Sequence, residues 1–220
     1  ASLLANDGLP LTAYPLDGEA IGLLADTITR HIDATEALPD QQTITIERRS
    51  EALVINMCQG TLINETIGHL LLAMASTQTG RWGGLLVEPT RLHLSGADIE
   101  PEQVIDWLNE LPADGIEGLL SVTLPNSRQV RWRFAQVAKT FGILQHGVDP
   151  RKINLNALVR KYRGTIVLEE VLNKLYYERM DIEGAKDVLR GIQSGLLDVI
   201  VTPPGPLGVS DRSQKDLLLP

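Results

Sequence analysis

The chain has 220 residues, 43% of them apolar and 22% charged, with a formal net charge of −8. These are the proportions of a globular protein long enough for one larger domain or two small ones. No apolar run approaches the roughly 18–20 residues that span a bilayer, so no membrane partner is expected. A single cysteine, Cys58, excludes an internal disulfide and fits a reducing, cytoplasmic setting.

The first residues, ASLLANDGLP, carry neither an initiator Met nor a charged leader, and read as a cut or processed end rather than a signal peptide. From Asp17 to about Thr35 the apolar residues Ile21, Leu24, Ile28 and Ile32 recur at helical spacing, and Pro39-Asp40 ends the segment. TITIER at 43–48 and ALVINM at 52–57 read as two strands joined by the charged turn Arg48-Arg49-Ser50, with Ile44 and Ile46 on one buried face. A second helix opens near Thr61, an N-cap candidate. It carries the stripe Ile63, Ile67, Leu70, Leu71 and Met74, and stops at Gly80. LLVEPTRLHL at 85–94 returns as extended chain, with Pro89 at a break or an edge position. Pro101 suits the first turn of a helix that turns Val104, Leu108 and Leu111 inward.

Beyond about Gly115 the pattern is mainly helical, over about 128–144, 155–162, 165–179 and 181–194, with Thr165 and Gly195 as helix boundary residues. LLDVIV at 196–201 reads as a short last strand. The expected class is α+β. Strands and helices surround a small sheet over 1–114, a mainly helical part with a basic face covers 115–202, and 203–220 is an exit tail. Helix, tight turn, helix and strand in that order also permit a winged-helix-like unit at the end.

Charge is unevenly placed. From Arg128 to Arg163 there are nine bases and one acid, Asp149, a local surplus of eight positive charges that leaves sixteen net negative charges elsewhere. Such polarisation offers phosphates one attractive surface, or is a solvated face balanced by acids within the fold. In the helix beginning at Arg128, the stripe is Val130, Phe134, Val137, Ala138 and Phe141, while Arg128, Trp132, Gln136 and Lys139 fall on the opposite face. Trp132 then projects away from the core with Arg131 and Arg133 at its flanks. An indole among cations can stack on a base, or it can pack against another helix. Arg151-Lys152 and Arg160-Lys161-Tyr162-Arg163 form a second basic group, suited to backbone phosphates or simply to solubility.

Asn64-Glu65-Thr66, in the first turn of the second helix, can line a groove, touch a partner or cap the helix. Several chemistries lack their signatures. There is no G-x-x-x-x-G-K-[ST], no G-x-S-x-G and no H-E-x-x-H, and His31, His69, His93 and His146 have no metal-ligand spacing. No catalytic residue, metal or cofactor is therefore expected in this chain.

Four segments carry a family resemblance in order: LVINMCQGTLINETIGHLLLAMASTQTG at 53–80, RQVRWRFAQVAKTFG at 128–142, YRGTIVLEE at 162–170 and MDIEGAKDVLRGIQSGLLDVIV at 180–201. Together they resemble the DEAD/H-associated region that follows the motor in large helicase-related (Lhr-type) superfamily 2 helicases, from about Tyr14 to about Gly208. The resemblance implies an accessory module of an ATP-dependent 3′-to-5′ helicase, acting in a setting such as DNA repair and completing the channel for the tracked strand. ATP and Mg²⁺ would belong to the RecA-like domains of the parent protein. The implied partners are single-stranded DNA or an RNA:DNA hybrid, and the RecA-like and winged-helix domains of the same polypeptide. Nucleic-acid contacts are expected from Trp132, Arg128, Lys139, Arg131, Arg133, Arg151, Lys152, Lys161 and Arg163. A protein-interaction or scaffold domain that docks on the motor is the competing expectation, and a metal-free hydrolase is a third.

Overall fold

The computed structural model describes residues 15–206 apart from Glu51, Trp82, Ala97, His146, Val148, Pro150 and Arg151, and apart from the side chains of Val122, Asn126 and Arg128. After helix α1 (Gly18–Thr35), strands β1 (Thr43–Arg48) and β2 (Ala52–Asn56) lead to helix α2 (Thr61–Thr79). A hairpin of β3 (Gly84–Glu88) and β4 (Arg91–Ser95) follows, and then helices α3 (Pro101–Glu110), α4 (Ile116–Thr123), α5 (Arg128–Thr140), α6 (Leu155–Lys161), α7 (Ile166–Arg179) and α8 (Ile182–Gln193). Strand β5 (Asp198–Thr202) is last.

The five strands form one sheet in the order β3-β4-β2-β1-β5, antiparallel throughout except for β5, which runs parallel to β1. Strand alternation gives the sheet two chemically different faces. Ile44, Ile46, Leu53, Ile55, Met57, Leu92 and Leu94 point to one face, where they are buried with Ile67, Leu70 and Leu71 of α2 in a single apolar cluster. The other face carries the buried polar residues Thr45, Glu47, Asn56 and His93, with Val54 between Glu47 and His93.

Helix α2 lies at the centre. Residues from Asn64 to Ala73 are buried without a polar side turned to solvent, as happens to a helix covered on both flanks. On one flank is the sheet, and there Gly68 leaves room for Leu85, whose side-chain end would have to shift for a Cβ that came within 2.8 Å of it. On its other flank α2 meets α4, α7 and α8, while α5 packs on α7 and carries α6.

Element positions follow the sequence pattern closely, with instructive departures. Gly60, at φ +89°, takes the N-cap position of α2, so Thr61 is the first helical residue rather than the cap. Helix α5 stops at Thr140, and Phe141 leaves the buried stripe for a half-exposed position before Gly142 turns the chain at φ +69°. Thr165 precedes α7 as expected, but its hydroxyl donates to Tyr162 O at 2.6 Å instead of capping. The last strand is no wing of a helical unit. It adds to the N-terminal sheet, with Val199 opposite Ile44 and Val201 opposite Ile46. That register sets its valines on the apolar face of β1.

Candidate nucleic-acid interface

Ser127 starts α5 by accepting a bond from Val130 N at 3.2 Å, as a serine N-cap does. The helical period then buries Val130, Phe134, Ala135, Val137 and Ala138, and turns Trp132 and Gln136 outward. The other tryptophan described, Trp107, is 7% exposed; Trp132 is 55% exposed. Across from it runs α7, and between the two helices is a groove of about 310 Å³ lined by Gln129, Trp132, Arg133, Gln136, Leu175 and Arg179.

A buried carboxylate lies beneath this groove. Glu65, 2% exposed on α2, accepts a bond from Gln129 Nε2 of α5 at Oε1, and its Oε2 lies 3.5 Å from Arg179 Nη2 at the end of α7. His69 Nε2 is 3.4 Å from Oε1, one turn along the same helix. Burial alone would push the Glu65 carboxyl upward. The interactions with His69 and Gln129 and the charge of Arg179 outweigh it and hold the group below the usual carboxylate range. Glu65 is therefore an anion at neutral pH, and its partners are donors and cations of the groove walls. On the rim, Arg133 Nη2 pairs with Glu178, and its Nη1 donates to Gln136 Oε1 at 3.3 Å. One indole face, two guanidiniums and two amides thus meet at one opening, a set that can stack on a base and grip a backbone phosphate.

The other two residues of the Asn64-Glu65-Thr66 turn are also interior pins, which corrects the capping expectation. Asn64 Nδ2 donates to Met57 O at 2.9 Å and Glu88 O at 3.0 Å, tying α2 to the end of β2 and to the β3–β4 turn. Thr66 Oγ1 donates to Leu62 O at 2.8 Å and accepts from Asp181 N at 3.1 Å, just after α7. Their polarity marks bonds to distant segments rather than to the helix's own free amides.

Of the residues expected to touch nucleic acid, Trp132 and Arg133 come together in the groove. Arg131 turns the other way and donates to Asn156 Oδ1 of α6 at 2.9 Å. Lys139 is half-buried in the last turn of α5, and Lys152, Lys161 and Arg163 are exposed on and around α6. Lys161 Nζ sits 5.9 Å from the Tyr162 ring, and that ring packs 5.7 Å from Phe134, on the side of α5 away from Trp132. Arg151 and the Arg128 side chain lie outside the described residues.

Gln129, Leu175 and Arg179 belong to the site without having been expected there, whereas Glu65 was weighed as a groove residue together with Asn64 and Thr66. The polar Asn64-Glu65-Thr66 turn on an otherwise apolar helix was the signal for Glu65, and no local pattern marked the other three. Among the described residues no three His, Cys, Asp or Glu side chains are placed to hold a metal ion, and no helix is long and apolar enough to cross a membrane.

Comparison with known proteins adds three findings. The profile of the family described as DEAD/H associated matches residues 38–208. The structure of Mycobacterium smegmatis helicase Lhr bound to ssDNA and AMP-PNP is similar in fold, with a TM-score of 0.71 at 15% identity. The similarity covers 92% of this chain and 28% of that one, so this chain corresponds to under a third of that protein's length. Among curated proteins nothing matches.

Proposed function

The chain belongs to the DEAD/H associated family, and from that premise we propose that it is a single-strand-binding module of an ATP-dependent helicase. The observation that carries this reading is the open face of Trp132 at a groove whose walls supply Arg133 and Arg179. A base stacks on the indole while the guanidiniums meet the flanking phosphates. Such contacts ignore base identity, as a protein tracking along a strand requires. The fold shared with a helicase that is bound to ssDNA supports the same assignment.

In the proposed parent, RecA-like domains hold ATP and Mg²⁺ and drive 3′-to-5′ movement, and a winged-helix domain neighbours this module. The module completes the channel for single-stranded DNA or for the DNA strand of an RNA:DNA hybrid, within a reducing, cytoplasmic compartment. The basic residues around α6, including Lys152, Lys161 and Arg163, extend the attraction for the backbone beyond the groove. A second reading, docking on the motor without nucleic-acid contact, draws on the outer side of α7, where Ile166 and Tyr177 are exposed.

Fluorescence anisotropy of labelled single-stranded DNA titrated with the chain, at low and at moderate salt, separates the two readings. Salt-sensitive binding is expected for a strand module, and no binding even at low salt would leave the docking surface as the function.

A further inference from the structure

We infer that Arg179 is a phosphate-contacting residue of the groove and that Glu65 is the positioning residue that aims it; the inference rests on the proposed strand-binding function. Arg179 is the last residue of α7, where the chain leaves the helix and its position would ordinarily be loose. Here it is fixed twice from one turn of α2. The backbone two residues on is held by the bond from Asp181 N to Thr66 Oγ1 at 3.1 Å. Its guanidinium is drawn toward Glu65 Oε2 at 3.5 Å.

The carboxylate serves both walls, one oxygen for Gln129 on α5 and the other for Arg179 on α7. Glu65 is almost fully buried, so solvent does not compete for it. The Arg179 side chain is 51% exposed. A guanidinium has five donors in a planar fork, so one edge engages Glu65 while the others remain for a phosphate at the groove mouth. Arg133 differs, because its carboxylate partner Glu178 is itself on the surface. A phosphate must displace Glu178 to reach Arg133, whereas it joins Arg179 without displacing anything buried.

The sign of one substitution tests the idea. Removing an acid beside an anion site ordinarily strengthens anion binding. If Glu65 aims Arg179, however, Glu65→Gln weakens it. Fluorescein-labelled oligothymidylate is titrated with the wild-type chain, with Glu65→Gln, with Arg179→Gln and with the double variant, at two salt concentrations. Each single variant is expected to lose about tenfold in affinity, as for one charge-assisted contact. The slope of log affinity against log salt should flatten by about 0.7, the value for one phosphate on a single strand. The double variant should bind no more weakly than either single one, because both changes remove the same contact.

Unchanged or tighter binding by Glu65→Gln overturns the positioning role, as does full additivity in the double variant. Should Glu65→Gln fail to fold by circular dichroism, Arg179→Gln decides alone, and unchanged affinity there overturns the inference. Trp132→Ala run alongside distinguishes the two levels. A loss with Trp132→Ala but none with Arg179→Gln sinks this inference and leaves the groove assignment standing, while a loss with neither sinks both.

Discussion

Two buried glutamates, Glu47 and Glu65, sit in the same molecule under similar constraint, but their partners face opposite ways. Glu47, on the polar face of the sheet, accepts from Asn56 Nδ2 at 2.9 Å, Arg49 Nη2 at 2.6 Å and Gly205 N at 3.3 Å. Those partners are turned back into the fold. Asn56 also donates to Thr45 Oγ1 at 3.0 Å, and Arg49 donates to Gly205 O at 2.8 Å. The network fastens the segment after β5 across β1 and β2. Glu65 also accepts from the half-buried Gln129, but its second partner, Arg179, is half-exposed, and both line an open groove. A buried carboxylate is costly in either place and is kept only because it is paired. What distinguishes the two sites is where the partners' other donors point, and on that difference the proposed binding role of Glu65 rests.

The largest expected effect breaks the closed network. Glu47→Ala removes the carboxylate that Arg49 and Asn56 share, leaving them only Gly205 O and Thr45 Oγ1, and chemical denaturation should register a loss of about 3–5 kcal/mol, as for breaking a buried charge pair. Single-strand affinity at saturating folded fraction should be unchanged. A comparable loss of affinity would mean that the two regions are not separate.

The same side of the sheet supplies a pH effect, smaller than that of deleting Glu47. His93 is buried near Glu88, Arg91 and Arg49, and desolvation, with the two arginines, holds its pKa below the ordinary 6.5 despite the opposing pull of Glu88. The folded state thus keeps His93 neutral in a window where the unfolded chain already binds a proton. Its contribution is complete above about pH 6.5 and is lost as pH falls through that value toward the lower folded-state pKa. The denaturation midpoint should therefore fall between pH 7.5 and 5.5, and His93→Gln should reduce that fall. A midpoint that rises on acidification would contradict the assignment.

On the open side, Trp132→Ala should lower single-strand affinity by ~1–3 kcal/mol. Folding stability should move by no more than about 0.5 kcal/mol, because the side chain is mostly in solvent. Destabilisation by several kcal/mol would show that Trp132 belongs to the core. The smallest effect is expected at the rim. Glu178→Gln frees Arg133 from a surface ion pair worth about 0–1 kcal/mol, and binding should tighten by a comparable amount. Weaker binding would mean that Glu178 holds Arg133 in its productive position.

Local structure was legible in the sequence because it obeys local rules. The 3.6-residue recurrence marked the helices, the alternation in TITIER and ALVINM marked β1 and β2, and Gly80 and Pro101 marked helix ends. The outward placement of Trp132 followed from the same periodicity, since Val130 and Phe134 fix the inward side of α5. Partners across the fold were not legible. The pairing of β5 with β1 is decided between segments some 150 residues apart, and a short apolar run is equally suited to a wing. Arg179 looks like an ordinary cation at a helix C-terminus until α7 is packed beside α5. Asn64-Glu65-Thr66 was conspicuous, but first-turn capping explains the same residue types locally, and only the packing of α2 between two layers shows that all three side chains reach elsewhere.

The most direct test of the central claim is intrinsic tryptophan fluorescence during titration with unlabelled single-stranded DNA at low salt, comparing the wild-type chain with Trp132→Phe. Stacking at the groove predicts quenching in the wild type, reversed by added salt and absent from the variant. Quenching that survives in Trp132→Phe, or strand binding that leaves the wild-type fluorescence unaltered, would contradict a base on the Trp132 indole.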